Sequence, residues 1–184
     1  AADKVTGEKS IVAGKNVTIV DTVTLDGLKK GTKYQLKGWQ MVKSENAQLL
    51  IDGKLVENDY TFTAKKSEME VEVSYTFNAS ALGGKDLVTF EELYDLSIKV
   101  AEHKDIEDEG QTVTIEERVI EIHTNAVDKA TGEKMIVAGK EVTVIDTVTL
   151  DGLEKGTTYQ LKGWQMVKSE NAQLLVDGKP VESD

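Results

Sequence analysis

Cysteine is absent from all 184 residues, and proline occurs once, at Pro180. No disulfide can staple this chain. That alone does not place it, because a cytosolic protein ordinarily lacks disulfides and an extracellular one needs only some other crosslink. No apolar run approaches the roughly 20 residues of a membrane span, so insertion into a membrane is not expected. The opening AADKVTGEKS lacks the basic-then-apolar order of a secretion signal, which carries little weight in an internal fragment. Basic clusters are missing too. With 22 basic against 33 acidic residues the net charge is −11, which makes nucleic acid and anionic membrane poor partners. No cofactor-binding fingerprint is present, and no cofactor is expected.

What the chain does have is a repeat. Residues 128–184 reproduce residues 3–59 at an offset of 125, with 47 of the 57 aligned positions identical. The identity extends to surface positions, as in KGWQMVKSENAQLL at 37–50 and again at 162–175. A shared fold alone would preserve only the buried pattern. The chain therefore reads as a piece of a tandem array, one repeat at 1–121 followed by the N-terminal half of a second at 122–184. Each repeat is too long for a solenoid unit and should hold its own core. A composition of 39% hydrophobic and 30% charged residues can supply one. No Gly/Ser/Pro-rich spacer separates the copies, so successive domains should stack as a stiff rod.

The periodicity is that of strands. NVTIVDTVTL (16–25), KYQLKGWQMV (33–42), YTFTA (60–64), MEVEVSYTF (69–77), DLVTFEELY (86–94), SIKVAEH (97–103) and QTVTIEERVIEIHT (111–124) are rich in β-branched residues, and several alternate apolar with polar. Asp26-Gly27, Lys30-Gly31, Asp52-Gly53, Gly83-Gly84 and Glu109-Gly110 mark turns between them. About seven short strands in about 120 residues predict an all-β fold, an immunoglobulin-like antiparallel β-sandwich. NASALGGKDL is read as holding a short helical turn, and EELYDL admits a helical alternative. The stretch 111–124 is read as one continuous strand.

Chemistry concentrates in the segment His103-Lys104-Asp105-Ile106-Glu107-Asp108-Glu109-Gly110-Gln111-Thr112-Val113, preceded by Val88-Thr89-Phe90-Glu91. With Asp21-Thr22-Val23 and Ile122-His123-Thr124, it resembles the Thr–Gln ester-bond domains, or VaFE repeats, of Gram-positive surface adhesins. The resemblance spans essentially the whole chain. It implies that a first-strand threonine attacks the side-chain carboxamide of a last-strand glutamine, releasing ammonia and leaving an intramolecular ester. Carried over by position, Gln111 is the acyl donor, His103 the proton shuttle, and Glu91 with Asp21 the acidic pair that shares a proton and polarises the amide carbonyl. In the second copy Asp146 repeats Asp21 and Thr124 matches the nucleophile. The residue types suit the task. A threonine hydroxyl needs a base, an amide leaves only when its nitrogen is protonated, and neighbouring strands can hold the reactants at high effective molarity. The protein is thus expected to be no enzyme in the turnover sense, only self-processing.

The offset places the nucleophile of the first repeat two positions before Ala1, and the second copy stops before any equivalent of Glu91, His103 or Gln111. Thr124 follows Gln111 by only 13 residues, a span of roughly 40 Å if extended, which disfavours pairing within one chain. The expectation is that Thr124 meets Gln111 of another molecule in a swapped homo-oligomer; in the parent array the partners are neighbouring repeats of the same protein. The resemblance also implies an extracellular, cell-wall-anchored stalk, its host ligand unknown.

Plainer readings of the same residues exist. A histidine before an acidic loop is by itself a solvated surface residue, and Glu91 alone could be an exposed strand residue. Asp21 in an apolar strand demands a partner, because a buried unpaired carboxylate is costly. Asp105–Glu109 has oxygens enough for calcium but lacks EF-hand spacing, so a solvated turn is preferred and no metal is assigned. Trp39 and Trp164 are read as packing residues. Against a stalk stand a host-ligand-binding adhesin module without crosslink chemistry, a hydrolase using Glu91 and Glu92, and Lys–Asn isopeptide chemistry. Adjacent strand residues point to opposite faces, which weakens the hydrolase, and glutamine in the last strand favours an ester over an isopeptide.

Overall fold

The computed structural model of the chain describes residues 1–183 and divides it into two compact units, Ala1–Val119 and Ile120–Asp184. The first unit contains β1 (Ala2–Asp3), β2 (Ser10–Val12), β3 (Val17–Leu25), β4 (Lys33–Val42), β5 (Ala47–Gln48), β6 (Leu50–Ile51), β7 (Lys54–Leu55), β8 (Glu57–Thr63), β9 (Met69–Phe77), β10 (Lys85–Asp95), β11 (Ile98–His103) and β12 (Thr112–Glu116). A single 3-10 turn, Lys43–Glu45, interrupts an otherwise all-β fold. One sheet runs β1-β3-β9; the larger runs β2-β12-β10-β4-β5, with β8 added on β4 and β11 on β10. Pairing is antiparallel except where β2 lies parallel to β12.

Alternation builds the core between the two sheets. Along β3 the residues Val17, Ile19, Asp21 and Leu25 are buried, and along β9 Val71, Val73, Tyr75 and Phe77. The apolar ones form one cluster with Tyr34, Leu36, Leu87, Leu93, Val113 and Ile115 of the larger sheet. Each such side chain contributes about 1.5–3 kcal/mol on burial. β10 is covered on both faces. Leu87 and Leu93 belong to the main core, whereas Val88 and Phe90 pack outward against Met41, Trp39 and Ile106. Trp39 meets Phe90 edge to face at 6.1 Å, a packing role. Glu91-Glu92-Leu93-Tyr94-Asp95 is therefore strand, because β4 and β11 pair along it and leave no room for a helix. Around Ala79–Lys85 the chain makes two tight turns, Leu82 N–H to Ala79 O and Lys85 N–H to Leu82 O, and no helix.

The run 111–124 is not one strand. β12 ends at Glu116, and a new strand β13 (Glu121–Asp128) begins the second unit. Arg118 turns to donate from Nε to the Ala13 carbonyl at 2.9 Å. Gly83 lies so close that a Cβ there would sit 3.1 Å from Glu117 Cα. Those tertiary contacts override a continuous β-branched pattern.

Gly38, on the inward row of β4, faces Glu91 across the pair. A Cβ at Gly38 would come within 1.8 Å of Tyr75 Oη. Gly38→Ala should therefore lower stability by about 1–3 kcal/mol through overpacking, read as a lower denaturant midpoint with an unchanged slope.

In the second unit β13 pairs with β14 (Val144–Asp151). The register is that of the first copy: Ala2↔Val20 and Asp3↔Ile19 recur as Val127↔Ile145 and Asp128↔Val144. The turn after it also recurs, with Asp3 accepting from Thr6 Oγ1 at 2.8 Å and Asp128 from Thr131 Oγ1 at 2.9 Å. Strand β4 has no full counterpart among the described residues; only Gly163–Trp164 and Met166–Val167 pair, with Glu182–Ser183 and Ala172–Gln173. Tyr34 is 7% exposed and its equivalent Tyr159 is 41% exposed. The same apolar face is present in both units, and within the second no other sheet covers it among the described residues.

Candidate crosslinking site

Four elements of the first unit converge on one point. β3 supplies Asp21, wholly buried in mid-strand between Ile19 and Val23. β10 supplies Glu91, 2% exposed. β11 ends on His103, paired directly opposite Glu91. Gln111 immediately precedes β12, and its backbone carbonyl accepts from Thr89 N–H at 3.0 Å, which fixes it beside β10. Val113 and Ile115 point into the core, so alternation turns the Gln111 side chain inward as well.

The electrostatics follow from burial. Neither carboxyl oxygen of Glu91 has a hydrogen-bond partner. Burial first, and then the adjacent Asp21, hold its pKa well above the usual carboxylate range, while the amino group of Ala1 pulls weakly the other way. At neutral pH Glu91 keeps a proton beside the Asp21 carboxyl. Glu92, next along the strand, has the opposite character. Lys104, Tyr94 and Lys99 hydrogen-bond its carboxylate and hold its pKa low. The two adjacent acids lie on opposite faces and cannot flank one bond.

His103 is half exposed, and its Nε2 lies 2.9 Å from Asp108 Oδ2. A hydrogen bond from Nε2–H to that carboxylate leaves Nδ1 as the acceptor, and Nδ1 lies 3.4 Å from the Gln111 side-chain nitrogen. The amide has two orientations. Turned one way, its NH₂ donates to Asp21 at 3.0 and 3.3 Å, as an ionised carboxylate requires. Turned the other way, NH₂ faces His103 and the carbonyl oxygen faces Asp21, a contact between two acceptors that needs a proton between them. In the second orientation the carbonyl is polarised and the leaving nitrogen faces a base.

The first and last strands are already tied here. Lys9 Nζ donates to Ala1 O at 2.6 Å and to Gly110 O at 2.5 Å, and the Ala1 nitrogen donates to Gly110 O at 2.8 Å. The same nitrogen lies 2.9 Å from Asp21 Oδ1. Lys134, the counterpart of Lys9, donates to Ala126 O at 3.0 Å and to Asn125 Oδ1.

Asp146 and Thr124 lie in the other unit, on the β13–β14 ribbon, both exposed. Asp146 pairs with Ala126 and Thr124 with Val148. Thr124 and Asp146 are therefore diagonal neighbours on one face of the ribbon, about 7–8 Å apart. By the shared register, the position equivalent to Thr124 falls opposite Val23 and diagonal to Asp21 on β3.

Asp108 was not singled out in the sequence, where it is one of four acids in a turn. The turn uses its carboxylates internally. Asp105 Oδ1 accepts from Glu107 N–H and Asp108 Oδ1 from Gly110 N–H. Among the described residues no group of three or more acidic or histidine side chains is arranged to hold a metal.

A family model described as "T-Q ester bond containing domain" matches residues 1–115 and again 120–184. The chain belongs to this family. No curated protein matches it. Among solved structures, a glycosyl hydrolase family 2 member from Bacteroides cellulosilyticus DSM 14838 is similar at a TM-score of 0.41 and 14% identity, over 77% of this chain and 16% of that one. The chain spans about a sixth of that protein's length, and a likeness so slight bears on neither fold nor activity. The two matched segments of the T-Q ester bond containing domain abut at the break between β12 and β13.

Proposed function

We propose that this chain is a structural stalk module of an extracellular, cell-wall-anchored adhesin, stabilised by a self-formed Thr–Gln ester. The observation that carries the reading is the buried Asp21–Glu91 pair set against the Gln111 amide, with His103 behind its nitrogen. The threonine Oγ attacks Gln111 Cδ as the acid pair lends its proton to the carbonyl oxygen. The C–N bond then breaks, the hydroxyl proton passes through His103 to the departing nitrogen, and ammonia leaves. The lent proton returns to the pair. No external enzyme is needed, because strands tied by Lys9 hold the reactants together. Each domain reacts once.

A second step of the proposal concerns partners. Residues 128–184 present the same inward face as residues 3–59, so the half-repeat of one molecule can replace that face in another. Thr124 then meets a foreign Gln111 and joins two chains. In the parent array the same faces serve neighbouring repeats.

The test extends the chain upstream of Ala1 with a copy of Ile122-His123-Thr124-Asn125. Its intact mass should fall by about 17 Da, one ammonia, and hydroxylamine should cleave the new bond. Gln111→Ala should keep the full mass. An undiminished mass in the extended chain refutes the ester, and a bond resistant to hydroxylamine and base makes it an amide. For the 184-residue chain itself, denaturing electrophoresis should show a ladder; a single band at the chain mass sinks the swapped crosslink.

A further inference from the structure

Tyr75 reaches the acid pair from β9, in the sheet that carries Asp21 and across the core from Glu91, and the crosslinking scheme leaves it without a task. It is 2% exposed on β9, and its hydroxyl has no hydrogen-bond partner. Leaving a phenol dry and unpaired is costly, so a phenylalanine would be preferred here if packing were its whole role. The space it enters is made for it. Gly38 is the cross-strand neighbour of Glu91, and the Tyr75 hydroxyl lies only 1.8 Å from where a Gly38 Cβ would be. Side chains directly opposite on paired strands have Cβ atoms about 4.5–5.5 Å apart, so the hydroxyl stands within reach of a carboxyl extending from Glu91.

The supply of hydrogens at this point is short. Among the described residues, the buried side-chain atoms without partners are Gln40 Oε1, Tyr75 Oη and both carboxyl oxygens of Glu91. Gln40 has committed its amide nitrogen to Thr89 Oγ1 at 2.9 Å, so it has only an acceptor to offer. Of these atoms the Tyr75 hydroxyl is the one that always carries a hydrogen, and Glu91 lies beside it. Burial, and then the charges of Glu91, Asp21 and Asp59, push the phenol above its ordinary pKa, which keeps it a donor at any working pH. The ionisable groups around this point are Glu91 from β10, Asp21 from β3, Asp59 from β8, His103 from β11, which pairs opposite Glu91, and the amine of Ala1.

We propose that Tyr75 is a positioning residue of the acid pair: its hydroxyl enters the gap left by Gly38, and a turn of the neighbouring Glu91 carboxyl, which it does not bond in this structure, brings the two together as donor and acceptor. That bond holds the Glu91 carboxyl in the rotamer that shares a proton with Asp21, and it stabilises the anionic state of the pair between proton loans.

The inference rests on the ester reading for its kinetic consequence but has an independent spectroscopic one. In the upstream-extended chain, Tyr75→Phe should slow ammonia loss by about 10–100-fold and raise the apparent pKa of the pair in the rate profile by about one unit, because an anion that loses a donor binds its proton more tightly. An unchanged rate and profile overturn it, as does a slower rate with an unmoved profile, which would mean packing alone. In the Gln111→Ala chain, where no ester forms, the infrared carbonyl stretch of protonated Glu91, identified by its disappearance in Glu91→Gln, should shift on Tyr75→Phe. A stretch that does not move assigns the hydroxyl to Gln40 and refutes the proposal. If the parent extended chain loses no ammonia, the ester reading fails while this second measurement still decides the role of Tyr75.

Discussion

In the upstream-extended chain, Gln111→Ala is expected to lower the stability of the first domain by about 4–5 kcal/mol. A Thr–Gln ester between the first and last strands closes a loop of roughly 110 residues, and the chain-entropy model assigns about 4–5 kcal/mol to a crosslink of that size through the unfolded state it restricts. Removing the glutamine side chain takes little else from the folded state, because Gln111 is only half-buried. For a domain of this size the difference corresponds to a fall in melting temperature on the order of 15–25 °C. Differential scanning calorimetry of the two chains, each with its crosslink state fixed beforehand by intact mass, measures it directly. A difference below about 3 °C would show that the ester, even when formed, does not carry the thermal stability. The comparison also bears on a stalk. Strands β1 and β12 meet through Lys9 and the Ala1 nitrogen, which are single hydrogen bonds at an exposed edge. A covalent bond at that place passes tension from strand to strand without stretching the sheets.

The strands of this fold were legible because their inward residues alternate. Val17, Ile19 and Leu25 on β3, and Val71, Val73, Tyr75 and Phe77 on β9, announce a core face, and Asp21 stood out as the one charge on that face. The resemblance to the ester-bond family drew attention to Asp21, Glu91, His103 and Gln111 before any geometry, and the fold brings their strands side by side. What alternation could not show were contacts that depend on residues far apart in sequence. The end of β12 depends on Arg118 finding the Ala13 carbonyl 105 positions away. The parallel pairing of β2 with β12 leaves no local trace. The need for glycine at position 38 comes from Tyr75, which arrives from the other sheet. Asp108 was hidden among like residues; its difference is one distance, 2.9 Å to His103. EELYDL was ambiguous because a strand covered on both faces shows no clean alternation, and β10 is such a strand.

Glu91→Gln is expected to raise the stability of the uncrosslinked domain at neutral pH while stopping ester formation. Glu91 keeps its proton in the folded state, since burial and Asp21 hold its pKa far above that of an unfolded glutamate. Above about pH 4.3 the unfolded chain therefore binds fewer protons at this position than the folded one, and stability falls as pH rises through that range. The loss continues until the folded pKa is reached. Glutamine is neutral in both states, escapes this cost and can still donate to Asp21. In the Gln111→Ala background, so that no crosslink intervenes, Glu91→Gln should add about 1–3 kcal/mol at pH 7, and the gain should shrink to near zero below pH 4. Urea midpoints at the two pH values measure it. In the reactive background an amide cannot lend and recover a proton, and ammonia loss should slow by about 10²–10⁴-fold. Stability and chemistry then move in opposite directions from one substitution, which is the mark of a buried acid retained for reaction. A Glu91→Gln domain less stable than its parent at pH 7 would instead make Glu91 a structural partner of Asp21, and the dry, paired carboxyls would need another explanation.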